Sequence, residues 1–284
     1  MKRLLVIVLI VCGLSVCASA QTASSLFWRS DSLQVKEIVS ESGNQYNKVG
    51  HHGPAVENSH FALRLYFNDS GAIDVYSKTG RGMELMKYLW YPTSEQRDSL
   101  SLGSDGYMVG KTVGLGGIAL WDGEKEVKLV ATKGRTARVG DTKKGSYAEV
   151  IAYGVQYNED LVDISIRIDM ESKTRVAVVT AQELSGKKVC FLTGVNFHEG
   201  QKVVYDERCI YVWGPHPVKA DDESFPIGAG LTYSDKDFPS VEKTENMVRL
   251  VSKPVSRVRT QVVSCSVKEA ELNSAKRFES YMQK

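Results

Sequence analysis

Apolar and polar residues alternate with a period of two from about residue 60 to about residue 265, interrupted at short intervals by turn-forming pairs. That pattern is the signature of antiparallel β-structure. In the clearest segment, 161–170, Val162, Ile164, Ile166, Ile168 and Met170 point one way and Asp163, Ser165, Arg167 and Asp169 the other. Such a strand has one buried and one solvated face. Similar segments occupy 118–121, 148–157, 175–183, 188–195, 202–213 and 247–251. Asp122-Gly123, Lys144-Gly145, Asn158-Glu159-Asp160, Ser185-Gly186 and Glu199-Gly200 separate them with turn chemistry. Many short strands at this spacing predict an all-β sandwich or barrel and exclude a βαβ fold. Only 273–284 carries a helical stripe, of Ala275, Phe278 and Met282, so a short C-terminal helix is expected. No repeat or linker divides the chain, and a single domain over 21–284 is the simplest organisation.

The first 20 residues, MKRLLVIVLIVCGLSVCASA, set Lys2 and Arg3 before an apolar run and close on Ala18-Ser19-Ala20. This reads as a secretory signal peptide, too short and wrongly flanked for a membrane span. Export, with the periplasm as destination, is the expectation. A lipid anchor is the lesser alternative, because Cys12 and Cys17 each follow a valine where lipidation favours a small residue. Without the leader, Lys plus Arg and Asp plus Glu balance at 34 each. Neutrality, with no basic run, argues against a nucleic-acid partner. The remaining Cys190, Cys209 and Cys265 allow at most one disulfide, and their wide spacing suits neither a stapled scaffold nor a zinc cluster.

Three of the five histidines fall in one stretch, VGHHGPAVENSHFALRLYFNDSGAIDVYSK, from Val49 to Lys78. Phe61, Leu63, Leu65 and Phe67, continued by Ile73 and Val75, form an apolar set. A three-residue turn, Asp69-Ser70-Gly71, predicts a hairpin pairing Phe67 with Ile73 and Leu65 with Val75. Tyr66 then lies across from Asp74 and Arg64 across from Tyr76, on a face that also carries Lys78. A solvated face laced with cross-strand ion pairs is the plainer reading of that pattern; a site wall is the sharper one. His51 and His52 lie between Gly50 and Gly53-Pro54, so they belong to a loop entering the strand. If it is extended, only one of them faces the same side as Arg64. Glu57 is nearby, but His-x-x-x-x-Glu is not a helical metal spacing, and Gly-Pro forbids a helix.

Other motifs fall away. Gly110-Lys111-Thr112 lacks the upstream glycine of a phosphate loop, because Asp105 occupies its place. Gly114-Leu115-Gly116-Gly117 has no following helix and reads as a close backbone approach rather than a dinucleotide site. No nucleophile elbow and no H-E-x-x-H occurs. Trp121, Trp213, Tyr107, His198 and His216 remain as candidates for a sugar-facing surface, although ordinary packing accounts for Trp121 at least as well.

VGHHGPAVENSHFALRLYFNDSGAIDVYSK, GGIALWDG, VWGPHPVK and RFESYMQK together resemble an exported domain-of-unknown-function family of polysaccharide-degrading bacteria. That family includes a dehydratase acting on the terminal uronic acid of ulvan oligosaccharides, and the resemblance covers nearly all of the mature chain. It implies a large antiparallel β-sandwich like that of galactose mutarotase and polysaccharide lyases. It also implies elimination from a uronic-acid residue of an acidic oligosaccharide substrate. Removing the proton α to a carboxylate requires a cation to neutralise the enolate-like charge, a base near neutral pKa and an acid for the departing oxygen. His51, His52, Arg64, Tyr66 and His198 are the expected catalytic set, with Arg64 or Lys78 as carboxylate clamp and Tyr76 as an alternative base. Glu57, Asp74, Tyr76, Lys78, Trp121, Trp213 and His216 are the expected substrate contacts. No cofactor is assigned, and a divalent metal in place of the arginine clamp stays open. The alternatives are a mutarotase-like epimerase or glycoside hydrolase, with Glu57 and Asp74 as paired acids, or a non-catalytic carbohydrate-binding protein.

Overall fold

Eighteen strands and two short helices make up the computed structural model, which describes residues 22–41, 43–217 and 224–284. The leader read in 1–20 lies outside the described residues. In chain order the strands begin with β1 (Thr22–Ser25), β2 (Glu37–Ser40), β3 (Ala55–Asn58), β4 (Phe61–Leu65), β5 (Ile73–Ser77) and β6 (Ala119–Trp121). There follow β7 (Glu126–Val127), β8 (Arg135–Asp141), β9 (Gly145–Tyr157), β10 (Asp160–Glu171), β11 (Ala177–Glu183) and β12 (Phe191–Asn196). The last are β13 (Lys202–Tyr205), β14 (Cys209–Pro215), β15 (Pro226–Thr232), β16 (Ser240–Lys243), β17 (Met247–Val251) and β18 (Arg257–Ser266).

A nine-stranded antiparallel sheet, ordered β13-β14-β15-β18-β11-β10-β9-β8-β2, forms one layer. Val162, Ile164, Ile166, Ile168 and Met170 of β10 are all buried, as the alternation predicts. They share one hydrophobic cluster with Leu63, Leu65 and Val75 of the four-stranded sheet β1-β3-β4-β5. Phe191, Val195, Val248 and Leu250 of the five-stranded sheet β16-β17-β12-β6-β7 belong to the same cluster. The fold is therefore all-β, two smaller sheets facing one large one across a shared core.

The glycine run joins the two smaller sheets. Ile73 N donates to Val113 O at 3.0 Å, Leu115 N to Ile73 O at 3.0 Å, and Gly116 N to Gly194 O at 2.8 Å. A Cβ on Gly117 would stand 2.1 Å from Val113 O, and one on Gly114 2.1 Å from Ile73 O. Glycine is required there because two backbones meet where a side chain would stand.

Several sequence expectations shift. The run 202–213 is two strands, split where Asp206 Oδ1 accepts from Arg208 N at 2.7 Å and Cys209 N at 2.8 Å. That local turn competes with the sheet ladder. The strand expected over 175–183 begins at Ala177, because Arg175 is turned to Glu269 and Glu271. Helix α1 (Ser94–Leu100) was not anticipated; its signal is the Thr93 to Gln96 capping box. The C-terminal helix α2 (Ala275–Met282) is where its stripe places it, with Phe278 and Met282 buried.

The hairpin register also differs from the expected one. Arg64 pairs with Asp74, Leu63 with Val75 and Leu65 with Ile73. The connection is longer than three residues: Tyr66 N donates to Ala72 O at 3.0 Å, and Asn68 Oδ1 accepts from Ser70 N at 2.9 Å. A shift of two leaves every side chain on its expected face, whereas a shift of one would have exchanged the faces.

Gly117→Ala should therefore destabilise the protein by about 2 kcal/mol or more, against a change within about 0.5 kcal/mol for Gly82→Ala, whose Cβ meets nothing within 4 Å. Urea denaturation of the two variants checks this; equal stabilities would contradict the backbone stitch.

Candidate functional site

The polar face of β4 and β5 is buried rather than solvated, which corrects the plainer expectation. Arg64 is 0% exposed and Asp74 2%. An unpaired guanidinium in that position would be very costly, and the surrounding chain supplies its partners. Arg64 Nη2 donates to Asp74 Oδ2 at 2.5 Å and to Asp105, and Nη1 donates to the Tyr91 hydroxyl. Burial alone would lower the Arg64 pKa, but the Asp105 and Asp74 charges outweigh it and hold the guanidinium protonated. Asp74 also accepts from Tyr66 OH and from Val75 N at 2.7 Å. Its carboxyl is pushed up to about 7 by burial, with the Asp105 charge adding and Arg64 opposing. Burial and the Asp74 charge raise the Tyr66 hydroxyl, so it holds its proton.

Just beyond the end of β5, a second buried ion pair anchors a loop. Lys78 Nζ donates to Glu57 Oε2 at 2.7 Å and Asn58 O at 2.8 Å. The Glu57 carboxylate also accepts from Glu84 N and from Leu85 N at 2.9 Å. Glu84 in turn accepts from Tyr76 OH at 2.7 Å and Gly103 N at 2.9 Å. The segment 84–103 is thus fixed at both ends. Glu57, Tyr76 and Lys78 are consumed in this anchorage and do not line the cleft; Lys78 is no free carboxylate clamp.

The two adjacent histidines separate completely. They form a 3-10 turn over Gly50–His52, with φ of 54° at His51 and 63° at His52. The loop is therefore not extended: left-handed angles at both residues, rather than strand alternation, set the two rings in different surroundings. His51 is 0% exposed; its Nε2 donates to Leu85 O at 3.1 Å, and its ring packs edge-on against Phe27. Burial and the neighbouring Arg64 lower its pKa to about 3, so it is neutral. His52 Nδ1 faces the Tyr46 carbonyl at 3.0 Å, and only an N–H can make that bond. The tautomer is thereby set, leaving Nε2 as a lone pair that no described residue occupies. The ring stacks on Tyr46 at 3.9 Å, with Trp90 edge-on at 5.0 Å. Burial lowers the His52 pKa below the usual histidine value.

His52 opens on a cleft of about 560 Å³. Its walls are Tyr46, Tyr66 and Asp74 on one side, Trp90, Tyr91 and Arg97 from the anchored loop on another, and Ser104 to Gly110 on a third. Asp105 is 36% exposed there and uses one oxygen on Arg64. Arg97 bonds only Ser94 Oγ, at 2.9 Å, and makes no ion pair among the described residues. Arg97 thus brings to the cleft a guanidinium without a carboxylate partner among the described residues, whereas that of Arg64 is paired with two carboxylates.

His198 and His216 stand behind one wall. His216 Nδ1 accepts from Met108 N at 3.1 Å, and His198 Nε2 donates to Met108 O at 2.8 Å. Neither lines the cleft; both hold the backbone that does. Tyr107 lines it and donates to Asn196 Oδ1 at 2.6 Å. Trp121, under Arg249 at 4.2 Å, and Trp213, against Phe278 at 6.0 Å, belong to other packing clusters and take no part in the cleft. Tyr46, Trp90, Tyr91, Arg97 and Asp105 were not singled out from the sequence; the run Tyr88-Leu-Trp-Tyr-Pro92, aromatic without alternation, was the available signal. No group of three His, Cys, Asp or Glu side chains among the described residues is arranged to hold a metal ion. Cys190, Cys209 and Cys265 form no disulfide.

A family model described as Domain of unknown function (DUF4861) matches residues 18–284. No curated protein matches. Among solved structures, a 4-alpha-glucanotransferase from Thermococcus litoralis is similar at 11% identity and a TM-score of 0.36; the match covers 82% of this chain and 42% of that one. A proposed aldose 1-epimerase from Klebsiella pneumoniae is similar at 8% identity and a TM-score of 0.39, with 93% and 94% covered. At these scores neither likeness carries an argument about this chain.

Glu57→Gln leaves the Lys78 ammonium buried without its charge partner and should cost about 3 to 5 kcal/mol. Joint replacement, Glu57→Gln with Lys78→Met, should recover part of that loss because it removes the uncompensated charge. Chemical denaturation of both variants reads the difference; a single variant as stable as the parent would contradict the anchoring role.

Proposed function

The chain belongs to the DUF4861 family, and from that premise we propose that it is an exported carbohydrate-active enzyme that eliminates water, or a glycosyl group, from a uronic-acid residue of an acidic oligosaccharide. The observation that carries the reading is His52: a neutral imidazole, locked by the Tyr46 carbonyl, with Nε2 free on an aromatic-walled cleft that also holds the unpaired Arg97.

The steps follow from those groups. The uronate carboxylate pairs with Arg97, whose planar fork suits it. His52 Nε2 takes the C5 proton, and Arg97 neutralises the charge that develops on the carboxylate. The C5 electron pair forms the C4=C5 double bond as the C4–O bond breaks. Tyr91 gives its hydroxyl proton to the departing oxygen; its own oxygen already accepts from Arg64, so a guanidinium stands beside the charge left behind. Exchange with water returns the proton from His52 to Tyr91. Tyr66 and Asp74 fix Arg64 and transfer no proton.

A second reading rests on Asp105, whose other oxygen is unbonded in the same cleft. With His52 it forms an acid and base pair suited to sugar-ring opening, as an epimerase requires. A glycoside hydrolase fits less well: Asp74 and Asp105 bond one nitrogen, whereas hydrolase carboxyls stand about 5 to 9.5 Å apart. Glu57, expected as partner to Asp74, is not in the cleft.

The test is incubation with a saturated uronate-ended oligosaccharide, following ultraviolet absorbance of the conjugated double bond. Anomeric interconversion without absorbance supports the epimerase, and binding without product a carbohydrate-binding protein. His52→Gln should lower turnover by about 10²- to 10⁴-fold with little change in stability. Arg97→Gln should lower kcat/KM by about 10²-fold, as loss of one preorganised charge contact does. Since His52 must be neutral to act and its pKa is lowered, kcat/KM should hold as pH falls through 6.5 and decline only below it. An acid limb above 6.5 would contradict His52 as the base.

A further inference from the structure

The outward face of the nine-stranded sheet carries a second feature that shares no residue with the cleft. A groove of about 450 Å³ runs over β10, β11 and β18 beside the β8–β9 turn. Lys143 and Lys144 come from the turn, Arg257 and Arg259 from β18, and all four are exposed. Lys144 reaches Glu171 at 3.5 Å, while the side chains of Lys143, Arg257 and Arg259 make no ion pair or hydrogen bond among the described residues. The groove's other carboxylate, Asp169, is already held by both Arg167 Nε and Nη2, at 2.8 to 3.0 Å. The free charge in the groove is therefore positive, in a chain whose formal net charge is only +2.

We propose that this groove is a surface site that holds an acidic polysaccharide chain apart from the cleft. The choice of ligand rests on the uronate reading of the cleft and on charge density. Arg257 and Arg259 lie two residues apart on one strand face, about 7 Å, and two carboxylates remain on the groove wall. Duplex DNA presents a charge every ~1.7 Å of its axis, which so sparse and mixed a site cannot match. A polyuronate carries one carboxylate per sugar, separated by hydroxyl-bearing rings that Thr180 beside the arginines can meet.

Native electrophoresis in gels containing polygalacturonate, with neutral dextran as control, tests the site on the full chain. The wild type should be retarded by polygalacturonate alone, and added salt should relieve the retardation. Arg257→Gln with Arg259→Gln should weaken the apparent Kd about tenfold, and Lys143→Gln with Lys144→Gln, an independent pair on the turn, should weaken it in the same direction. Turnover of a short oligosaccharide should be unchanged in both, and Arg97→Gln should lose turnover yet keep the retardation. Undiminished retardation in both pairs, equal retardation by dextran, tighter binding of duplex DNA or anionic vesicles, or loss of retardation on Arg97→Gln alone would each overturn the proposal. If no uronate is turned over while retardation still follows the arginines, the cleft reading fails and the surface site stands.

Discussion

A guanidinium with no access to water organises this molecule's polar interior. Arg64 lies on a strand buried on both faces, and a charge so placed must be met from every side. Asp74 meets it from the neighbouring strand, Asp105 and Tyr91 from connections that must come to it. Those connections also carry Trp90, Tyr91 and the Asp105 to Gly110 wall, so satisfying one buried cation draws together the surfaces of the cleft. The second pair, Lys78 with Glu57, anchors the start of the loop that supplies Arg97.

This arrangement divides the ionisable residues by what they have left to offer. Both terminal nitrogens of Arg64 are engaged, by Asp74, Asp105 and Tyr91, leaving only its buried Nε without a partner, while Glu57, Lys78 and Tyr76 are tied to one another, to Glu84 and to backbone. His51 is committed to Leu85, and His198 and His216 to Met108. Among the described residues, His52 Nε2, the Arg97 guanidinium, the Tyr91 proton and one Asp105 oxygen remain open to the cleft. Under the proposed function, chemistry falls to the groups whose partners leave a valence free, and the committed ones position them.

The sheets were legible in the sequence because burial of one face enforces a period of two, as along β10 from Val162 to Met170. The faces of the β4–β5 hairpin were legible for the same reason, even though its register is offset by two. What alternation cannot encode is whether the polar face meets water or another layer. That depends on the 84–103 loop, which has no period of its own, and it is why Arg64 was read as a clamp when it is a buried hub. The His-His pair lies beside the cleft, but only the two left-handed residues decide which ring is inside. Arg97, on a seven-residue helix with no buried residue, carries no apolar stripe; the capping box marks its helix but not its role.

The central claim is that the cleft removes a proton from C5 of a uronate and expels the oxygen at C4. Proton NMR of a saturated uronate-ended oligosaccharide incubated with the enzyme tests it most directly. The account predicts loss of the terminal H5 signal in step with a new alkenyl H4 resonance, with both absent for His52→Gln. Exchange confined to the anomeric signals, or an intact H5 while the wild-type protein is saturated with ligand, would contradict it.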